Sequence, residues 1–201
     1  MTPLTLIRHG ETDWNRDRRI QGSTDIPLND TGRQQARDAA TLLRATLEPG
    51  APVVIAASDL SRARETADII ADELGIDRPR LYPALRERAY GEAEGIDATE
   101  FAARWGDWHS AEVPGAEPWP ALRMRALAGL NAVVDDVHRA TAGAAASVIV
   151  VTHGALIREV LRSATDGAYP VVGQRLANGS AHAMELDGDI LRLLTPVADG
   201  V

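Results

Sequence analysis

The sequence predicts an α/β fold: three layers, α/β/α, around a mostly parallel central sheet, with a C-terminal β-hairpin adding antiparallel strands. Three observations predict it. Apolar runs of strand length alternate with apolar stripes at helical spacing along the chain. Two of those runs, Leu4-Thr5-Leu6-Ile7 and Val148-Ile149-Val150-Val151, each lead straight into a His-Gly pair, His9-Gly10 after Arg8 and His153-Gly154 after Thr152. Near the end, Ser180 to Leu186 and Ile190 to Leu194 flank Asp187-Gly188-Asp189, a strong hairpin signal.

Taken in order, the first strand is short and buried, and the chain turns abruptly polar at Arg8-His9-Gly10. In a parallel α/β sheet, ligands bind beyond the carboxyl ends of the strands. An imidazole and a guanidinium therefore stand where chemistry is expected. Gly10 lets the backbone turn sharply and should leave room close to the ring. Asn15 to Asp30 reads as a loop rich in donors, among them Arg16, Arg18, Arg19, Gln21, Ser23 and Thr24. Asn29 can cap a helix from about Asp30 to Leu47, with Ala36, Ala40, Leu43 and Leu47 as its apolar face and Pro49-Gly50 as its end. Pro52 to Ala57 is the second strand. Ser58 or Asp59 is expected to cap the next helix, whose stripe is Leu60, Ala63, Ala67, Ile70 and Leu74 and whose stop is Gly75. Arg62 falls in its first turn, where free N–H groups and the positive dipole end favour anions.

Arg80 to Tyr82 is a third, short strand, and Leu85 to Gly95 is a charged, Gly-punctuated loop. Glu87 lies there between Arg86 and Arg88, a setting that suits a surface salt bridge. Ala98 to Trp105 is a short helix, and His109 to Pro120 reads as a lid-like loop. Leu122, Ala126, Gly129, Val133 and Val137 mark a long helix; Ile157, Val160 and Leu161 mark the helix after His153-Gly154. Residues 1–201 read as a single domain, with about 91–119 inserted as a cover.

Composition removes whole classes of function. The net charge of −8 argues against a nucleic-acid or anionic-membrane partner. The N-terminus enters a strand at once, without the basic and apolar regions of a signal peptide. No apolar run approaches the roughly 20 residues of a spanning helix. A soluble, cytoplasmic protein is the expectation. With no cysteine there is no thiolate nucleophile and no Cys-based zinc site. All 21 basic residues are Arg. That excludes a Walker A loop, Schiff-base or pyridoxal-phosphate chemistry, and a protein kinase, each of which needs Lys. Arg remains suited to holding phosphate or carboxylate through two parallel hydrogen bonds.

Two strand-His-Gly units suggest two imidazoles converging on one pocket. The residues around them resemble, in order, the histidine phosphatase superfamily, in the branch of cofactor-dependent phosphoglycerate mutases and related phosphatases. The matching pieces are Arg8-His9-Gly10-Glu11-Thr12-Asp13-Trp14-Asn15; Gln21-Gly22 with Asp25, Pro27-Leu28 and Gly32; Ser58-Asp59-Leu60-x-Arg62-Ala63 with Thr66-Ala67; Leu85-x-Glu87 with Gly91 and Glu94-Gly95; and Val151-Thr152-His153-Gly154. The resemblance covers nearly the whole chain and implies a phosphoglycerate mutase-like fold.

It also implies roles. His9 would take the phosphoryl group; Arg8, Arg62 and His153 would hold its oxygens; Asn15 and Gly154 would lie against the phosphate. Glu87 would serve as general acid and base. Gln21, Gly22, Ser23, Thr24 and Tyr90 would line the substrate side. The implied reaction is phosphomonoester hydrolysis of a small phosphorylated metabolite through a phosphohistidine, with no metal and no cofactor; a homodimer is left open. Phosphoryl transfer asks a protein mainly for positioning and charge stabilisation. Two Arg and a charged His153 would supply it, so His9 and His153 are expected to differ in protonation.

Rival readings make different demands. A metalloenzyme would need paired ligands, but none of His9, His109, His138, His153 and His182 pair at ligand spacing on one helix; His138 and His182 read as surface residues. A catalytically inactive binding module would be expected to have lost His9, Arg62, Glu87 or His153. A cofactor-dependent phosphoglycerate mutase would need further cations for its acceptor, and its branch carries an adjacent Arg-Arg pair after the catalytic Glu. From Gly91 to Pro120 the chain has only Arg104, and Arg123 and Arg125 lie two apart on a helix, where they do not share a face. Val113-Pro114-Gly115-Ala116-Glu117 is similar instead to the Pro-Gly-Gly-Glu-Ser of phosphatase relatives, with Pro118 in place of Ser. Arg88 and Tyr90 are mutase-like.

Overall fold

The computed structural model describes residues 1–48, 50–108, 110–171, 173–188 and 190–195. Its strands are β1 (Thr2–Arg8), β2 (Val53–Ala57), β3 (Arg80–Leu81), β4 (Ser147–Thr152), β5 (Ala181–Asp187) and β6 (Ile190–Thr195). They form one sheet in the order β3-β2-β4-β1-β5-β6. The first four run parallel, while β5 pairs antiparallel with both β1 and β6. The helices are α1 (Asp13–Arg16), α2 (Asp30–Thr46), α3 (Ser61–Leu74), α4 (Ala98–Trp105), α5 (Trp119–Ala140) and α6 (Gly154–Ala164).

The three layers follow from the two-residue period of the strands. Leu4 and Leu6 of β1, Val148 and Val150 of β4, and Ala56 of β2 face the cluster made with α5 and α6. Ile7, Ile149, Val151, Ile55 and Ala57 face the opposite cluster, made with α2 and α3. Each fully buried Leu or Ile contributes roughly 1.5–3 kcal/mol. Ala36, Ala39, Ala40, Ala63, Ala67 and Ala71 let α2 and α3 approach one another and the sheet closely. Among the described residues no helix is long and apolar enough to cross a membrane.

Most predicted elements are present within a residue or two, and the exceptions have physical causes. Asn29 caps α2, its side chain accepting from Gly32 N. The donor-rich loop contains a helical turn, α1, because Thr12 and Asn15 form a reciprocal capping box. Neither Ser58 nor Asp59 caps α3; the cap residue is Leu60, and Asp25 accepts from Ser61 N at 2.7 Å instead. Asp59 is taken by Arg86. Gly10 leaves room not for the imidazole but for α2: a Cβ there would lie 2.3 Å from Gly32 O, and one on Gly32 would lie 2.1 Å from Glu11 O. The expected stop at Pro49, the lid residue His109 and the turn residue Asp189 lie outside the described residues.

Candidate active site

Strand register builds the site. Arg8 pairs with Thr152 across β1 and β4, and His9 N donates to Thr152 O at 2.9 Å. One residue further on, His9 and His153 leave adjacent strand ends side by side, their ring centroids 5.1 Å apart. Both are buried. His9 Nδ1 lies 2.7 Å from Gly10 O. A carbonyl can only accept, so Nδ1 carries the proton and Nε2 keeps the lone pair. Among the described residues neither ring nitrogen of His153 has a hydrogen-bond partner.

Two guanidinium groups complete the floor. Arg62, 1 % exposed, donates from Nη1 to Thr24 O and from Nη2 to Gly22 O, both at 2.8 Å. Arg8 donates to Leu176 O. Burial, reinforced by Arg175, Arg62 and Arg158 against the pull of Glu87, brings Arg8 down to about 10. Burial also lowers Arg62. The same cations act on the imidazoles. Burial first, then Arg62 and Arg8, hold His9 well below its ordinary 6.5; burial, Arg62, His9 and Arg8 do the same to His153. This setting favours the neutral form of both rings, and an anion bound beside His153 would raise its affinity for a proton.

Asn15 lines the cavity with its carbonyl oxygen occupied by Thr12 N, Thr12 Oγ1 and Asn178 Nδ2, at 3.2, 3.1 and 3.2 Å. With that oxygen occupied, what the Asn15 side chain can offer a ligand is its N–H donors. Asn178 also donates to His9 O at 2.9 Å. Sequence reasoning missed Asn178: it lies in an irregular segment without a motif and reaches the site only through tertiary folding.

Glu87 makes no salt bridge with its neighbours. Its carboxylate accepts from Arg88 N, Ala155 N and Leu156 N at 2.8, 3.0 and 3.2 Å, at the N-terminal end of α6. Arg125 fastens the loop that carries it. Its Nη1 donates to Ala84 O and Arg86 O, its Nη2 to Glu87 O, and Glu117 closes the other side of the guanidinium at 2.7–2.8 Å. Arg123 turns away to Glu159. Neither arginine forms part of the cavity lining.

The substrate side divides. Gln21, Gly22, Tyr90 and Gly154 line a cavity of about 970 Å³ together with Arg8, His9, Arg62 and Glu87. Ser23 and Thr24 do not. Their backbone N–H and hydroxyl groups all donate to Glu94, which also accepts from Tyr90 N. Those bonds hold Glu94 below the usual carboxylate range against the upward push of its burial. Glu94 thereby pins the loop whose carbonyls grip Arg62. Over the cavity, Tyr90, Ala93, Phe101 and Val113 form a separate apolar cluster. Arg88 packs into the corner formed by Tyr90 and Trp119, 4.6 and 4.1 Å from their ring centroids. Burial raises the Tyr90 phenol. His182, read as a surface residue, is buried on β5, because its strand is an interior one; His138 is exposed on α5 and meets Thr2 Oγ1. Among the described residues no three His, Cys, Asp or Glu come together as a metal site.

Residues 4–197 match the family model described as the histidine phosphatase superfamily, branch 1. The chain is 35% identical over 185 residues to the uncharacterized phosphatase PhoE of Bacillus subtilis, covering 92% of this chain and 89% of that one. It is 32% identical to the 2,3-bisphosphoglycerate-dependent phosphoglycerate mutase of Nitratidesulfovibrio vulgaris, over 100% of this chain and 79% of that one. Its fold is similar to that of YhfR of Bacillus stearothermophilus, with a TM-score of 0.80, 28% identity and 96% of each chain covered.

Proposed function

The chain belongs to the histidine phosphatase superfamily, branch 1, and from that premise we propose that it is a metal-independent phosphomonoesterase acting on a small phosphorylated metabolite. The observation that carries the reading is the pairing of His9 Nδ1 with Gly10 O, which leaves a neutral, lone-pair Nε2 on a ring that lines the cavity between two guanidiniums. In the first step Nε2 bonds to phosphorus and the ester P–O bond breaks, with the leaving oxygen taking a proton from Glu87. In the second, water gives a proton to the Glu87 carboxylate and bonds to phosphorus, and the Nε2–P bond breaks. Arg8, Arg62 and a His153 protonated by the anion's arrival neutralise the transferring group, and Asn15 donates a hydrogen bond to it.

Hydrolysis is favoured over isomerisation by how the arginines that follow Glu87, the stretch in which the mutase branch holds its acceptor, are committed. A mutase must hold a second acidic substrate while its phosphohistidine stays dry. Arg88, the mutase-like residue, instead packs on the Tyr90 and Trp119 rings and donates to Glu117 O, and Arg123 and Arg125 are committed to Glu159 and Glu117. The test is trapping. Turnover of p-nitrophenyl phosphate should yield an acid-labile phosphoenzyme in the native protein and none in His9→Ala, with activity surviving a chelator. A labelled phosphoenzyme in His9→Ala would overturn the nucleophile. Isomerisation of 3-phosphoglycerate, primed with bisphosphoglycerate, at ten times the hydrolytic rate would overturn the phosphatase reading.

A further inference from the structure

The cavity has a wall that the proposed chemistry does not use. α6 starts at Gly154, against the floor, and Gly154, Arg158 and Arg162 recur on one of its faces at four-residue spacing. With a rise of 1.5 Å per residue, Arg158 stands about 6 Å and Arg162 about 12 Å along the axis from Gly154. Arg175 comes from the segment whose Leu176 carbonyl accepts from Arg8. All three line the cavity.

Among the described residues no carboxylate neutralises this wall. Among the described residues none of the three has a carboxylate within ion-pair distance. Arg158 donates only to Gln174 O. Glu159, the next residue on α6, is buried and turned to Arg123. Burial and then the like charge of Arg162 lower Arg158. The acids elsewhere around the cavity are occupied: Asp17 pairs with Arg16, Asp97 caps α4, Glu11 accepts from Asn29, and Glu87 is held by backbone N–H groups. Arg158 and Arg162 repel one another, and with Arg175 on the same cavity and acting with Arg158 on Arg8 they give that side of the cavity the excess of positive charge that binds anions. The volume agrees. About 970 Å³ is far more than one phosphoryl group fills, and it falls in the range of whole-metabolite sites.

We propose that Arg158, Arg162 and Arg175 form a second anion subsite, so that preferred substrates carry a carboxylate or a second phosphate beside the phosphomonoester that His9 attacks. This rests on the phosphatase reading. Arg158 is placed for compact substrates, and Arg162 with Arg175 for longer ones.

Phosphate release from matched pairs tests it without a variant: 3-phosphoglycerate against glycerol 1-phosphate for a carboxylate, and fructose 1,6-bisphosphate against fructose 1-phosphate for a phosphate. In the native protein the doubly anionic member of at least one pair should have a kcat/KM at least about tenfold higher, the worth of one charge-assisted contact. Added salt should shrink that advantage, because the wall is partly open to water. The pair that discriminates identifies which anion the subsite takes. In Arg158→Gln, and further in the double variant with Arg175→Gln, the ratio within that pair should fall toward one. Equal kcat/KM within both pairs, or an advantage that survives the double variant, overturns the subsite. No release from any compound, p-nitrophenyl phosphate included, overturns instead the phosphatase reading on which it rests.

Discussion

The floor of the cavity and its cover are built by different forces. The floor residues Arg8, His9 and His153 sit at the ends of β1 and β4, where their positions follow from main-chain register and buried packing on both sheet faces. The residues over the cavity, Arg88, Tyr90, Phe101 and Trp108, are held mainly by side chains packing on one another: Phe101 against Trp108 at 4.5 Å, Tyr90 against Trp108 at 5.3 Å, and Arg88 on the Tyr90 and Trp119 rings. A register cannot drift by a fraction of a residue, whereas a small aromatic cluster repacks. The fixed half should therefore govern rate, and the adjustable half should govern which substrates bind.

The contrast breaks most visibly at Glu87, which belongs to the cover's loop but bonds to the floor's helix. Glu87→Gln should lower kcat on alkyl phosphates by about 10²–10⁴-fold, the range for a positioned proton donor. The loss should be much smaller on p-nitrophenyl phosphate, whose leaving group needs no proton. Full activity on an alkyl ester would remove Glu87 from the chemistry. Arg125→Met should act in the same sense but more weakly, roughly tenfold, because Arg125 touches the Glu87 main chain rather than the reacting atoms. A plot of log kcat against leaving-group pKa checks it. A uniform loss across all esters would mean that Arg125 supports folding and not the placement of Glu87.

The floor makes its own prediction about pH. His9 and His153 are held below 6.5 in the folded protein. The unfolded chain therefore binds more protons than the folded one as pH drops through that value, and stability falls with it. Each histidine contributes a slope of up to about 1.4 kcal/mol per pH unit. Urea unfolding between about pH 7.5 and pH 5 should show the loss. Saturating orthovanadate should reduce it by giving a proton on His153 a partner, and His153→Gln should flatten it. A slope unchanged by both would mean that other groups set the acid limb. The smallest effect is expected in the cover. Trp108→Ala should raise KM by a few fold with kcat nearly unchanged, the mark of lost uniform binding. A fall in kcat at constant KM would show that the cover also aligns the reacting groups.

The sequence revealed most where a signal was local. Strand-His-Gly, the Asn29 cap and the Gly75 stop each depend on neighbours within a turn or two. Residues whose partners are distant were misread or missed. Asp25 caps α3 from an earlier loop, Asn178 returns to His9 from near the end of the chain, and Ser23 and Thr24 serve Glu94 rather than the cavity. In each case the residue type was informative about its capacity to bond, and silent about the partner that three-dimensional folding would bring.

The position of β1 has a consequence for synthesis. It is made before the other five strands of the sheet, yet both of its neighbours, β4 and β5, come from the last third of the sequence. A ribosome-bound chain that has emerged only through α5 carries a central strand with two open edges and half of the nucleophilic site. Catalytic competence is therefore a signal of completed translation: no N-terminal fragment ending before β4 can be active, and the exposed β1 edges make such fragments natural clients for chaperones and proteases.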